Sequence, residues 1–320
     1  MPCAAAVVAL AIVMSAASCA QESSEKHAMS DSTGEIEKQQ PTATPIPDPV
    51  PVWAMDEHGD FLPVPSPGPS DWLAVHDESG QSFASFLRSR PNRPDDSRST
   101  LVLQPLGGFD HEDAPQPDVL RRFAESYFGI DARVYPAIDL DHVSIMTRRE
   151  PGLRQRQVLA GDLLDLLREN LPDHAYCFIG ITMEDLYPRD DWNYVFGQAS
   201  LRDRVAVYSF VRYLPAFWGE TRRDPTLVLR RSFKVLAHET GHAFGIRHCT
   251  DHLCVMNGSN HLEESDSQPL HLCPNDLRKL QWSVGFDVHG RYRRLAAFYR
   301  KIGLVGEAAW VERRLTHIGG

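Results

Sequence analysis

The apolar positions of this chain fall into two periods. Leu101–Leu103 is a short continuous apolar run and reads as a strand, while Leu120, Phe123, Ala124, Tyr127 and Phe128 recur at helical spacing and are closed by Gly129. Ala132–Tyr135 reads as a second strand, and Leu159, Leu163, Leu166 and Leu167 mark a second helix that stops before Pro172. Ala175–Met183 and Arg204–Leu214 are largely apolar, the pattern of strands covered on both faces, with Trp192–Ala199 as a further strand between them. A helix follows, with a start signal at Asp224-Pro225 and apolar first turns carrying Leu227, Val228, Leu229, Phe233, Val235 and Leu236. The end of the chain is helical over Leu277–Trp282, His289–Ile302 and Gly306–His317.

The N-terminal part departs from this alternation. Ala4–Ala17 is small and apolar and runs into Ala16-Ala17-Ser18-Cys19, the form of a bacterial export signal closing in a lipobox, although no Lys or Arg precedes Cys19. This predicts an exported protein anchored in a bacterial envelope through lipidated Cys19; with a leader that does not function, the location would be cytoplasmic. Gln21–Pro51 carries Ser, Glu, Gln, Thr and Pro without an aromatic residue, and too little apolar surface to offset its ordering entropy. Pro63–Pro69 is still proline-rich. The expected organisation is a leader over 1–19, a disordered tether over 20–70 and a folded body over 71–320.

Charge narrows the function. The 320 residues carry a formal net charge of −10, which argues against a nucleic-acid binder. The pairs Arg222–Arg223, Arg230–Arg231 and Arg293–Arg294 read as solvated helix faces. No apolar run in the body is long enough to span a membrane.

The chemistry is concentrated in His238–His248, which reads H-E-x-x-H-x-x-G-x-x-H. On a helix His238 and His242 project from one face and can hold one metal ion. Glu239 lies on the flank of that face, within reach of a water on the metal. For His248 to face the same ion the chain must turn sharply, and Gly245 stands where a positive φ is needed. Three imidazoles would then leave a fourth position open. Cys249, Cys254 and Met256 follow as C-x4-C-x-M, and Cys273-Pro274-Asn275-Asp276 looks like a C-x-x-C knuckle whose second cysteine is aspartate. Three cysteines grouped in this way suggest a structural zinc, completed by Asp276, His252 or His271. Asp276 also suits a cap for the helix beginning at Leu277, and in an oxidising compartment Cys249 and Cys254 could instead form a disulfide. Cys177, in a buried strand pattern, reads as a core residue.

The run from His238 through Cys273-Pro274-Asn275-Asp276, with Gly180–Pro188 and Phe196–Leu201 upstream, resembles the archaemetzincin family of zinc metallopeptidases. The resemblance implies an α+β metzincin fold: a twisted mixed sheet with helices, an active-site helix and a smaller helical C-terminal part. It implies a catalytic zinc on His238, His242 and His248 and a structural zinc on Cys249, Cys254 and Cys273, with Asp276 where the family has a fourth cysteine. It makes Met256 the methionine of the turn beneath the catalytic metal. Trp192–Ala199 would be the edge strand that pairs with a substrate peptide. Tyr187, Pro188 and Trp192 would either wall the cleft or pack internally. The function read from this is hydrolysis of peptide bonds by metal-activated water with Glu239 as general base, leaning toward aminopeptidase action on short peptides. The expected partners are a peptide or protein substrate, with no nucleic acid, no membrane beyond the lipid anchor, and a monomeric state. The alternative is a non-catalytic, zinc-stabilised surface scaffold.

Overall fold

The structure, a computed structural model, describes residues 50–55, 58–149, 155–200 and 203–319. The leader, Cys19 and the tether up to residue 49 lie outside the described residues. In chain order the elements begin with α1 (Trp72–Val75), α2 (Phe83–Arg88), β1 (Thr100–Leu106), α3 (Pro117–Phe128) and β2 (Ala132–Val134). Then come β3 (Thr147–Arg149), β4 (Arg156–Leu159), α4 (Ala160–Glu169), β5 (Ala175–Thr182), β6 (Asp185–Tyr187), β7 (Gly197–Ser200) and β8 (Val205–Ser209). Helices complete the chain: α5 (Pro225–Ala243), α6 (Leu262–Ser267), α7 (Pro274–Val284), α8 (Val288–Lys301) and α9 (Val305–His317).

The continuous apolar runs become the inner strands of a five-stranded sheet of order β2-β1-β5-β8-β7. All pairs are parallel except β7 with β8, which places β7 antiparallel at one edge. Side chains alternate between two buried layers, as a strand's period of two requires. Leu101, Leu103, Ile179, Ile181 and Tyr208 join the core built with α3 and α5, while Val102, Leu106, Phe178 and Val207 join the core built with α4. The sheet is therefore covered on both faces, and α5 carries His238 and His242 on one of its coverings.

Three expectations need correction. The run Arg204–Leu214 is not one strand: β8 ends at Ser209, and Val211–Tyr213 winds into a 3-10 turn. There Arg212 is buried against Asp185, with Nε to Oδ1 at 2.6 Å, so the run is interrupted by a buried ion pair. Trp192–Ala199 is a strand only from Gly197. The body also begins before Asp71. The Asp60 side chain is buried against Arg314 (2.9 Å) and His317 (2.8 Å), Phe61 is buried, and Leu253 N–H donates to Leu62 O (2.8 Å). The prolines of 63–69 disguise a segment that packs on the C-terminal half.

A second sheet of order β3-β4-β6 flanks the first. Tyr187 lies buried in it under the Arg148 guanidinium (4.0 Å), and Trp192 packs against the α4 core. Both take the internal-packing role. Of the arginine pairs, Arg293 and Arg294 are exposed, but Arg223 bonds Asp113, Arg230 bonds Glu307 and Arg231 bonds Asp266. No helix among the described residues is long and apolar enough to cross a membrane.

Candidate active site

Helix α5 starts where Asp224 accepts the Leu227 N–H (3.0 Å), with Pro225 in its first turn. It ends at Ala243, and Gly245 takes φ +79°, which turns the chain back so that Ile246 N–H reaches Gly241 O (3.2 Å). That turn brings His248 beside the two helical histidines. One ring nitrogen of each, His238, His242 and His248, lies within 4.8 Å of the others. The Nε2 atoms of His238 and His242 are 3.1 Å apart.

The other ring nitrogens settle the tautomers. His238 Nδ1 faces the Val255 carbonyl (2.8 Å), His242 Nδ1 the Ile246 carbonyl (2.7 Å) and His248 Nδ1 the Glu78 carboxylate (2.9 and 3.0 Å). All three partners only accept, so each Nδ1 carries the proton and each Nε2 presents a lone pair. His248 Nε2 is buried without any hydrogen-bond partner. Burial, reinforced by the neighbouring imidazoles, holds His238 well below the ordinary histidine range and pushes His242 down to about 3. Neutral, convergent imidazoles with one orphaned lone pair are the donor set that zinc takes, and they fit a cation with an open fourth position.

Glu239 stands beside them, fully buried, with neither carboxylate oxygen hydrogen-bonded. Burial alone pushes it up to about 8. His238 and Glu239 line a cavity together with Phe196, Tyr213, Lys234 and Gln268. Lys234 lies one turn before His238, bonds the Ser265 carbonyl, and is pushed down to about 7 by burial. Met256 passes beneath α5 so closely that a Cβ at Gly241 would meet its Sδ at 2.5 Å, and the Met256 side chain would have to shift to admit one. A larger cleft of about 560 Å³ lies elsewhere, beside α9; its residues Asp60, His271 and His317 are tied into ion pairs and ring stacking.

The chain that carries this constellation is similar to known proteins. Residues 154–282 match the model of peptidase family M54. Over 265 residues the chain is 37% identical to archaemetzincin-2 of Macaca fascicularis and 36% identical to that of Homo sapiens, covering 73% of this chain and 73% of each relative. The crystal structure of archaemetzincin from Methanopyrus kandleri is similar at 33% identity and a TM-score of 0.47, over 59% of this chain and 97% of that one. The chain belongs to the archaemetzincin family. It is accordingly a zinc-dependent metallopeptidase, a hydrolase whose substrates are peptides or proteins. The scaffold alternative is not retained.

In this archaemetzincin the second group adjoins the first in sequence, since Cys249 follows His248. Cys249, Cys254, Cys273 and Asp276 are all buried, and their Sγ and carboxylate atoms lie within 4.8 Å of one another. Cys249 Sγ is 3.7 Å from Cys273 Sγ, and Cys254 Sγ is 3.4 Å from Asp276 Oδ2. The four cysteines among the described residues are free thiols, and Cys177 is a core residue. Hydrogen bonds from Cys254 and Cys273 hold the Cys249 thiol down. Burial raises Cys254, and the bond to Cys249 raises Cys273. The capping reading of Asp276 is wrong: α7 begins at Pro274, its cap is Cys273, whose Sγ accepts the Asp276 N–H (3.4 Å), and Asp276 sits inside the first turn. Its Oδ1 instead meets Lys279 Nζ at 2.7 Å. His271 stacks on Trp310 at 3.6 Å, and neither it nor His252 joins the group.

Several residues of these sites are absent from the sequence reading. Glu78 is 170 positions from His248 and carries no local signal. Asn257 accepts Cys254 N–H (2.7 Å) and donates to the carbonyls of Cys249 and His252, closing the C-x4-C loop; its place directly after Met256 is the one hint. Lys234 is legible in principle, as a lysine four residues before His238 on the same buried helical face.

Proposed function

We propose that His238, His242 and His248 hold the catalytic zinc and that Glu239 is the general base of peptide hydrolysis. The observation that carries this is the pairing of three convergent Nε2 lone pairs with an adjacent buried carboxylate that has no structural partner. A zinc ion there would supply Lewis-acid polarisation of a carbonyl and acidify water. Glu239 Oε accepts the proton of the attacking water and returns it to the leaving amine nitrogen, a role that suits a carboxyl raised toward neutrality. A catalytic carboxylate bound in an ion pair would lack that freedom.

The lean toward aminopeptidase action needs an acidic group to grip the substrate's free amine. Around His238 and Glu239 the described lining adds the amine of Lys234, pushed down to about 7 by burial, and no second carboxylate. That supports cleavage within peptides over removal of their first residue. Phe196 also lines the cavity and leads into edge strand β7, against which an extended substrate can pair. The test is mass-spectrometric profiling of a mixed peptide library. Zinc-loaded protein should cut within peptides and Glu239→Ala should not; no cleavage by either, or equal cleavage by both, would sink the assignment. Envelope anchoring through Cys19 belongs to the same reading: Cys19→Ser should move the protein out of the membrane fraction.

A further inference from the structure

The three histidines are not held alike. His238 and His242 ride on α5, and their Nδ1 protons go to carbonyls of the backbone around them, Val255 and Ile246. His248 lies past the Gly245 turn with no helix to fix it. Its Nδ1 is met by a carboxylate from the far N-terminal part of the body, with both Glu78 oxygens within 3.0 Å.

That carboxylate is itself clamped from both sides in sequence. Before it, Trp72 stacks on His76 (3.8 Å between ring centroids) and stands edge-on to His248 (5.1 Å). The Trp72 and Asn260 N–H groups both donate to Glu264 (2.8 and 2.7 Å), and Asn260 Nδ2 donates to Ser70 O (3.1 Å), which ties α1 to the segment behind Met256. After it, the Gln81 side chain donates to Gly245 O and accepts from Arg247 N–H, both at 3.1 Å, gripping the turn that delivers His248. Segment 70–81 is thus built onto the turn on which the third histidine is carried.

We propose that Glu78 is the positioning residue of His248: it fixes the Nδ1–H tautomer, aims Nε2 at the point shared by His238 and His242, and places a negative charge behind one of three otherwise neutral ligands. The inference rests on the zinc reading of the three histidines. Carboxylate partners of metal-bound histidine orient the ring and raise its basicity, and their loss typically costs 10–100-fold in metal affinity. A merely structural Glu78 would move stability and leave the ring's tautomer alone.

The experiment measures zinc affinity at the histidine site by competition with a chromophoric chelator, in wild type, Glu78→Gln and Glu78→Ala, with His242→Ala defining what remains without that site. Imidazole nitrogen NMR of the metal-free proteins reads the His248 tautomer. The expected result is a 10–100-fold loss of affinity in Glu78→Ala and a smaller loss in Glu78→Gln, whose amide oxygen still accepts from Nδ1 but carries no charge. His248 should be a single Nδ1–H form in wild type and a mixture in Glu78→Ala. Unchanged affinity and tautomer in both variants would overturn the proposal while leaving the zinc reading intact. Equal zinc binding by wild type and His242→Ala would instead overturn the zinc reading itself. If Glu78→Ala fails to fold, Glu78→Gln decides alone: affinity and tautomer equal to wild type would refute the role of the charge.

Discussion

The histidine and cysteine groups grow from adjacent residues, His248 and Cys249, yet they are finished in opposite ways. In the histidine group every Nδ1 is spoken for, every Nε2 is left facing its neighbours, and the acid beside them has no partner. The group opens onto a cavity. In the cysteine group the donors satisfy one another: Cys254 Sγ accepts Cys273 N–H (3.1 Å), Cys273 Sγ accepts Asp276 N–H, and Asp276 is matched by buried Lys279. A site meant to bind and release substrate keeps an open position, whereas a site meant to hold the fold is closed. Unsatisfied buried groups are costly, so their concentration in one group and not the other is a functional signature.

The sharpest break of this comparison is to remove one member from each side. Glu239→Gln should lower kcat/KM on a cleaved peptide by about 10²–10⁴-fold, the usual worth of a general base. His242→Ala should abolish turnover, with zinc lost from that site. Both should keep the wild-type circular dichroism spectrum, since α5 is buried from Ser232 to Ala243. Collapse of the fold in His242→Ala would show that the histidine group is the structural one.

The converse variant should behave in the converse way. Cys254 is fully buried and contacts Cys273 and Asp276. Cys254→Ser should cost about 4 kcal/mol of stability, the range reached when a structural metal site is lost. Residual folded protein should keep its kcat. Chemical denaturation paired with active-site titration separates the two; wild-type stability in this variant would mean that the cysteine group holds nothing together.

How much of this contrast is legible in the sequence depends on distance along the chain. The ligand spacing of His238–His248, the turn at Gly245 and the helix start at Asp224 are local, and local rules read them correctly. The strands β1, β5 and β8 are legible as apolar runs. The overrun into Val211–Tyr213 arises because apolar content does not distinguish a strand from a 3-10 turn, and the reason for the break, the Asp185–Arg212 pair, is a contact across 27 positions. The sheet β3-β4-β6 escapes because Thr147–Arg149 and Arg156–Leu159 are short and carry charges. Glu78 escapes for the same reason as the ion pair: its partner is chosen by tertiary packing.

Protonation provides a smaller lever on the same contrast. In the metal-free protein burial pushes Asp276 up to about 6, from 3.8. The folded state then holds a proton that the unfolded chain has released, so this contribution is fully present below about pH 4 and is lost as pH rises through about 6. Each pKa unit is worth about 1.4 kcal/mol, which makes the loss about 3 kcal/mol. Glu239, raised to about 8, acts in the same sense at higher pH, while His238 and His242, held below the ordinary histidine range, act in the opposite sense up to about pH 6.5. The Asp276 contribution is therefore read as the difference between metal-free wild type and Asp276→Asn in urea denaturation from pH 4 to 8: the stability of wild type relative to Asp276→Asn should fall as pH rises through about 6, and a difference that stays constant would contradict it. Zinc should remove that fall, because its ligands bind deprotonated.

The smallest effect concerns Asp276, the one oxygen donor of the cysteine group. Cys273 and Asp276 share the first turn of α7, so both donors project from one helix end. Lys279 occupies Asp276 Oδ1, which leaves Oδ2, on the Cys254 side, as a single oxygen donor. We expect Asp276 to ligate a second zinc through that atom. Zinc is borderline-soft, so oxygen in place of sulfur should weaken the site while preserving its charge. Asp276→Cys should therefore tighten zinc at the cysteine group by about tenfold, roughly 1.4 kcal/mol, and leave peptidase activity unchanged. Asp276→Ala should reduce bound zinc from two per chain toward one. Metal analysis with thiol counting on protein isolated without reductant measures both. Wild type and Asp276→Ala holding zinc equally well would show that Asp276 serves Lys279 alone; one zinc in wild type, with Cys249 and Cys254 oxidised together, would show that the closed group is held by a disulfide.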